Sequence, residues 1–179
     1  MEKELKKRLA LALISILSIL AVFMGPAIIR PTDEEVIYEF AKQYFEARPE
    51  DYADLFPNSK YRKEDAKPYI EKCLQDLVPQ GVLDRIIEEE GMVSHIKRSY
   101  IRKEILSLKH LKVSLISHNN WSTTYGIDGI VMAENVEDAS KERLEIKGQI
   151  VIVEKDGIPK IDQLYMIQDQ ARYFRSIWD

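Results

Sequence analysis

The feature that most constrains the fold of this chain is an uncharged apolar run from Leu9 to Ile29. It contains 21 residues, and 12 of them are Leu, Ile, Val or Phe. A helix of that length would extend about 31 Å, which is close to the thickness of the hydrocarbon core of a bilayer. The run therefore predicts a transmembrane helix.

Basic residues lie mainly on one side of this run. Lys6, Lys7 and Arg8 precede it, whereas Arg30 alone follows it. Because basic residues favour the cytoplasmic side of a span, the pattern predicts a cytoplasmic tail (1–8), a transmembrane signal-anchor (9–29) and an extracytoplasmic domain (31–179). The expected location is the cell membrane, crossed once, with the N-terminus in the cytoplasm.

The alternative is a cleaved signal peptide that releases a secreted domain. Gly25 and Ala27 are small enough to precede a cleavage site. The uninterrupted run from Leu9 to Met24 is, however, long for a signal peptide, and we favour an anchor that is retained.

The charge of the domain excludes one class of partner. The whole chain carries −4, and residues 1–30 hold five basic and two acidic side chains, so the remainder carries −7. Nucleic-acid binding depends on neutralising phosphates, and an acidic domain does this poorly. We expect no nucleic-acid partner.

No motif points to a metal, a cofactor or a catalytic centre, and we predict none. Cys73 is the only cysteine, which excludes an intrachain disulfide and a cysteine-based zinc site. His95, His110 and His118 lack metal-ligand spacing and are expected at the surface or at strand ends.

Helical patterns dominate the first half of the domain. Thr32 and Glu35 form a capping box before a long amphipathic helix, predicted over Asp33 to Ala47. Shorter helices are predicted over 49–56, within 61–78 with its clearest part at 68–77, and over 82–89. The stretch from Met92 to Leu108 is ambiguous, although its end has helical spacing.

From Leu111 the apolar pattern changes to a period of two, which indicates strands. Four strands are predicted, of which the third has a kink or bulge at Gly148 and the fourth runs through about Met166; a short amphipathic tail follows. The fold class is therefore α+β: a transmembrane helix, then helices packed on a four-stranded antiparallel sheet.

The order of elements resembles that of the NTF2-like, cystatin-like cone superfamily. It consists of a span, a long capped helix ("TDEEVIYEFAKQYFEA"), a short helix ("PEDYADLF"), more helices and four long strands. The layout is similar to that of the bitopic NTF2-like subunits of conjugation and type IV secretion machines. This resemblance implies a bacterial scaffold domain in the cell envelope and transfers no site residue by residue.

Enzymes of that superfamily place a Tyr or His and an acid or base inside the cone, and this chain offers Tyr38, Tyr44 and Asp128 for such a cavity. A core position for Tyr44 and a solvated one for Asp128 are the favoured interpretations.

Two other segments are candidate interaction surfaces. The first is basic, and it either contacts anionic lipid or a partner, or is a solvated face that balances Glu88 to Glu90. The second is the aromatic C-terminal tail, which either docks on the domain or binds a partner. Their residues are Lys97, Arg98, Arg102 and Lys103 in the first, and Tyr173, Phe174 and Trp178 in the second.

The sequence thus favours a membrane-anchored, non-enzymatic protein-interaction or scaffold module whose partners are envelope proteins or further copies of itself. The alternatives are a ligand-binding or enzymatic cone cavity and a secreted domain.

Overall fold

The computed structural model describes residues 30–55 and 63–172, and the part from Pro31 onward belongs to one compact unit. In these residues the helices come first, followed by a sheet of strand order β1-β2-β3-β4. This confirms the predicted α+β order. The helices are α1 (Asp33–Phe45), α2 (Pro49–Leu55), α3 (Lys63–Leu74), α4 (Gln80–Glu88) and α5 (Gly91–Arg102), and the strands are β1 (Glu104–His118), β2 (Thr123–Asn135), β3 (Lys141–Lys155) and β4 (Ile158–Asp169).

Helix α1 begins as the sequence predicts. The Glu35 amide donates to Thr32 Oγ1 at 3.2 Å, and the Thr32 amide donates to Glu35 Oε2 at 2.7 Å, which completes the capping box. The helix ends at Phe45, two residues before the predicted end, because Ala47 forms a β-bridge with Leu106.

The ambiguous stretch contains a helix and the start of a strand. Helix α5 ends before Lys103, whose φ of 52° lies in the left-handed region, and β1 begins at Glu104. The helical spacing expected at Ile105 and Leu108 was therefore wrong. Leu106 and Leu108 are buried on alternate positions of β1, and the bridge to Ala47 fixes this strand start.

The sheet is an antiparallel meander with two distinct ends. We call the end with the turns at 119–122 and 156–157 the hairpin end, and the end where α5 leads into β1 the junction end. The predicted bulge at Gly148 is confirmed: the register shifts between Lys147 and Gly148, and a Cβ at Gly148 would lie 2.5 Å from the Tyr165 carbonyl oxygen.

One face of the sheet packs against the helices. Its core is filled by large apolar side chains from α1, α5 and the strands, which are almost completely buried. They include Ile37, Phe40, Phe45, Ile96, Leu106, Ile127, Ile146 and Ile150.

The predicted fold class is wrong in one respect, the transmembrane helix. No helix in residues 30–55 and 63–172 is both long enough and apolar enough to cross a membrane. The predicted anchor from Leu9 to Ile29 lies outside the described residues, and so does the tail 1–8. The corrected fold class is an α+β domain with helices packed on a four-stranded antiparallel sheet; the location outside the cytoplasm stays a prediction.

Candidate interaction groove

An open groove of about 880 Å³ lies beside the N-terminal half of α1. We call it the α1 groove. Its walls come from α1 and the two residues before it, from the α3–α4 connection, from β1 and from the start of β4. The lining residues are Pro31, Thr32, Glu34, Glu35, Val36, Tyr38, Glu39, Asp76, Leu77, Leu111, Val113, Ile158 and Pro159.

Hydrogen bonds to the sheet hold two walls of this groove in place. Tyr125 Oη donates to Asp33 Oδ2 at 2.9 Å, which ties the start of α1 to β2. The Ile161 amide donates to the Leu77 carbonyl oxygen at 2.9 Å, and Lys160 Nζ donates to the Asp76 carbonyl oxygen. The start of α1 is therefore bonded to β2, and the α3–α4 connection is bonded to β4 of the same sheet.

The apolar part of the groove is accessible. Tyr38 is 51% exposed although it lies in the middle of α1, and Ile158 is 41% exposed. Leu77, Leu111 and Val113 are partly buried and pack against the core. Tyrosine is one of the residue types that are enriched among the anchors of protein interfaces.

The charged part of the groove is acidic. It contains the carboxylates of Glu34, Glu35, Glu39 and Asp76, and no Lys or Arg is found among the described residues that line it. Beside it, the pKa of Tyr125 is raised to about 12, first by burial, then by the hydrogen bond to Asp33 and by the charges of Asp33 and Glu34. The groove therefore favours groups that carry positive charge.

Further apolar side chains lie exposed at the hairpin end. Trp121, in the turn between β1 and β2, is 85% exposed, and Leu115 near the end of β1 is 63% exposed. Ile158 follows the other turn of the same end. The hairpin end thus carries apolar surface beyond the groove itself.

The three residues predicted for a cone cavity lie in separate places. Tyr38 lines the α1 groove, whereas Tyr44 is buried near the junction end. Asp128 is exposed on the sheet face away from the helices, in register with Lys112 and Lys147. They do not form one site.

A buried polar cluster near Tyr44 was not predicted. His95 is 0% exposed, and its Nε2 lies 3.1 and 3.3 Å from the two carboxylate oxygens of Asp169. A carboxylate only accepts hydrogen bonds, so Nε2 is the donor. The expectation that His95 lies at the surface was wrong; its position one residue before Ile96 on the apolar side of α5 was the available signal.

The surroundings of His95 are closed. Its ring makes edge contacts with Tyr44 and Phe45 at centroid distances of 5.2 Å, and Nδ1 is buried without a hydrogen-bond partner among the described residues. The α1 groove does not include Tyr44, His95 or Asp169. An aspartate–histidine pair shielded in this way links α5 to the end of β4.

The predicted basic segment is largely engaged within the domain. Arg98 is 6% exposed; its Nε donates to Glu104 at 3.0 Å, its Nη2 to Glu142 at 2.8 Å and its Nη1 to the Gln170 carbonyl oxygen at 2.8 Å. The more exposed Arg102 contacts the same two carboxylates.

The two lysines of the basic segment differ in exposure. Lys97 is half-buried, and the exposed Lys103 pairs with Glu137. The partners found for three of the four residues lie on the strands and the β2–β3 loop rather than in Glu88 to Glu90. A role of these residues in partner binding stays a prediction.

The aromatic tail candidates Tyr173, Phe174 and Trp178 lie outside the described residues. Within the part of the chain that is described, no group of three or more His, Cys, Asp or Glu side chains is placed to hold a metal ion. The absence of a cofactor stays a prediction.

Comparisons with solved structures give distant likenesses, among them the following two. The chain is similar to the candidate transfer protein TraH from the Gram-positive conjugative plasmid pIP501, with a TM-score of 0.46 at 22% identity over 76% of this chain and 91% of that one. It is also similar to the intermembrane space region of the chloroplast protein ARC6, with a TM-score of 0.35 at 10% identity over 78% of this chain and 99% of that one.

Neither likeness supports a conclusion about this chain, because both TM-scores lie below 0.5. No protein-family model matches the chain, and no curated protein matches it significantly. The resemblance to the NTF2-like superfamily stays a prediction.

Proposed function

We propose that the domain from Pro31 onward is a non-enzymatic protein-interaction module and that partner proteins bind in the α1 groove. The observation that carries this proposal is the exposure of Tyr38 in the middle of a helix whose other face is buried in the core. A tyrosine in an open, partly apolar groove offers a large contact area to a partner at a small entropy cost.

The filled core supports this proposal over a ligand-binding cone. Between α1 and the sheet, positions where a cone cavity would open are occupied by Phe40, Ile127 and Ile150, each at most 2% exposed. The candidate acid–base residues Tyr38, Tyr44 and Asp128 do not converge, and catalysis requires groups within reach of one reacting atom. We therefore propose an interaction role rather than a reaction.

Photo-crosslinking in the native cell tests the proposed surface. The photoreactive residue p-benzoylphenylalanine replaces Tyr38 or Ile158 in the groove, and replaces Asp128 on the far sheet face as a control. We expect both groove positions to give a covalent adduct with the same protein, identified by mass spectrometry, and the control position to give none.

Two outcomes would contradict this proposal. One is the absence of any adduct at Tyr38 and Ile158 while the chain is produced at its normal level. The other is an equal adduct at all three positions, since a partner bound in the groove cannot reach the opposite face of the sheet.

A further inference from the structure

The charges of the α1 groove restrict the chemistry of its partner. Glu34, Glu39 and Asp76 are exposed on its walls, and no Lys or Arg among the described residues lines it, although Lys160 donates to the Asp76 carbonyl oxygen beside it. Each carboxylate repels its neighbours, and a bound group with positive charge relieves that repulsion. An anionic partner would add to it, which disfavours nucleic acid, acidic lipid headgroups and phosphorylated segments.

The apolar walls require a second property of the partner. Tyr38 is a large exposed ring, and Leu77, Leu111 and Val113 provide aliphatic surface beside it. A purely basic peptide would leave this surface in water. A partner that covers it needs apolar side chains on one side and basic side chains at the edges.

The way β1 contributes to the groove favours a helix over an added strand. Leu111 and Val113 lie on the helix-facing side of the sheet, so β1 offers side chains to the groove. Strand addition uses backbone hydrogen bonds along a sheet edge, whereas an amphipathic helix binds through side chains spaced at i, i+3, i+4 and i+7. The side chains that β1 offers to the groove therefore favour binding of an amphipathic helix.

We infer that the α1 groove binds a basic amphipathic helix, with its apolar face against Tyr38 and its lysines or arginines beside Glu34, Glu39 and Asp76. This inference rests on the proposed function, because it specifies the partner of that same groove. A second copy of this domain is a poorer partner, since the domain carries −7 and would bring further negative charge.

Peptide binding to the full chain tests the inference. The probe is a fluorescein-labelled helical peptide with leucine on one face and lysine on the other, and fluorescence anisotropy gives its affinity. A second peptide has glutamate in place of every lysine. We expect the lysine peptide to bind at least about tenfold more tightly, with an affinity that falls as salt is added.

Matched variants locate the binding. In the groove variant, Glu34→Gln and Glu39→Gln remove two charges, and we expect the affinity for the lysine peptide to fall roughly three- to tenfold. In the control variant, Asp128→Asn and Glu145→Gln remove two charges from the far face of the sheet, with no expected change. Tyr38→Ala is expected to lower the affinity about fivefold or more.

The outcomes separate this inference from the proposed function. If both peptides bind equally, or if the groove and control variants lose the same affinity, the partner is not a basic helix. A crosslinked adduct at Tyr38 would still support the proposed function. A concentration-dependent dimer that Tyr38→Ala abolishes assigns the groove to a second copy and also overturns the basic helix. If the adduct is absent and neither peptide binds, both proposals are wrong.

Discussion

At the junction end of the sheet, charged side chains form ion pairs with one another within the domain, whereas at the hairpin end carboxylates lie exposed at the surface. Arg98 at the junction end shares its guanidinium between Glu104, Glu142 and the Gln170 carbonyl oxygen. At the hairpin end, carboxylates such as Glu34 line an open groove in which no described residue is basic. The two ends thus contrast a paired cluster of opposite charges around a buried arginine with a group of exposed carboxylates, beside which the cation Lys160 is bonded to the Asp76 backbone.

This contrast separates residues that hold the fold from residues available to a partner. A buried charge must be paired, since leaving it unpaired is strongly destabilising. Exposed carboxylates contribute little to folding: those on one surface repel each other slightly, and acidic groups in the first turn of a helix, such as Glu34 and Glu35, offset this by about 0.3–1 kcal/mol each. Substitution of the paired charges at the junction end should therefore lower stability, and substitution of the exposed groove carboxylates Glu34, Glu39 and Asp76 should change binding with little effect on stability.

The largest expected effect is that of Arg98→Ala. It leaves the buried Glu104 carboxylate without its main counter-ion, and we expect a loss of about 3–5 kcal/mol in the free energy of unfolding. Chemical denaturation monitored by circular dichroism measures this loss. The control is Arg102→Ala, which removes a more exposed arginine that contacts the same carboxylates. That substitution should cost at most about 1 kcal/mol. Equal effects would contradict the comparison.

The next largest effect is expected from Gly91→Ala, at the start of α5. A Cβ at Gly91 would lie 2.0 Å from Tyr44 Oη, so the tyrosine must move out of a closed site. We expect a loss of about 1–3 kcal/mol, as for other overpacked positions. Thermal denaturation of the variant and of the wild-type chain measures it.

Two further variants test whether the clash with Tyr44 Oη causes this loss. Tyr44→Phe removes the clashing hydroxyl, so Gly91→Ala should cost less in a Tyr44→Phe background. Gly81→Ala places a methyl group where nothing lies within 4 Å, and it should stabilise α4 by up to about 1 kcal/mol. If Gly91→Ala lowered the free energy of unfolding no more than Gly81→Ala does, Tyr44 would not be tightly packed against Gly91.

A smaller effect is expected at alkaline pH, and both ends contribute to it. The pKa of Tyr44 is raised above its ordinary value of 10.0, mainly by burial and then by the charge of Asp169. The pKa of Tyr125 is raised to about 12 by burial and by Asp33. The folded chain therefore holds these protons more tightly than the unfolded chain, and the stabilisation present below pH 10 is lost as the pH rises above it.

Melting temperatures between pH 9 and pH 12 test this sign. We expect the melting temperature to fall above pH 10, and to fall less steeply in Tyr44→Phe and in Tyr125→Phe. Some slope should remain, because burial also raises the pKa of Tyr69. An unchanged slope in both variants would show that neither tyrosine is linked to stability in this range.

The sequence predicted the elements whose own pattern is clear. The capping box of Thr32 and Glu35 fixes the start of α1, and the change of period at Leu111 identifies the sheet. The switch from α5 to β1 at Lys103 was missed, because it depends on the distant bridge between Leu106 and Ala47.

The sites were less predictable than the fold, for the same reason. Tyr38 was named from its residue type, yet its place in a groove depends on Leu77, Val113 and Ile158, which are far from it in sequence. Arg98 looked like part of a basic surface because its partner Glu142 lies 44 residues away in sequence, and Glu104 faces it only because the chain turns from α5 into β1 between them. Long-range pairing decides whether a charge is structural or available.

The smallest expected effect on stability is that of Trp121→Ser at the hairpin end. Trp121 is a large aromatic residue, and such residues usually cost several kcal/mol when they are truncated in a core. Here the side chain is almost fully exposed, so the free energy of unfolding should change by less than about 0.5 kcal/mol. Ile127→Ala, on the adjacent strand, is the matched contrast: Ile127 is 2% exposed, and its truncation should cost about 2–5 kcal/mol. A loss above 1 kcal/mol for Trp121→Ser would mean that this tryptophan packs against the fold, and the hairpin end would then be less free for a partner than its exposed surface indicates.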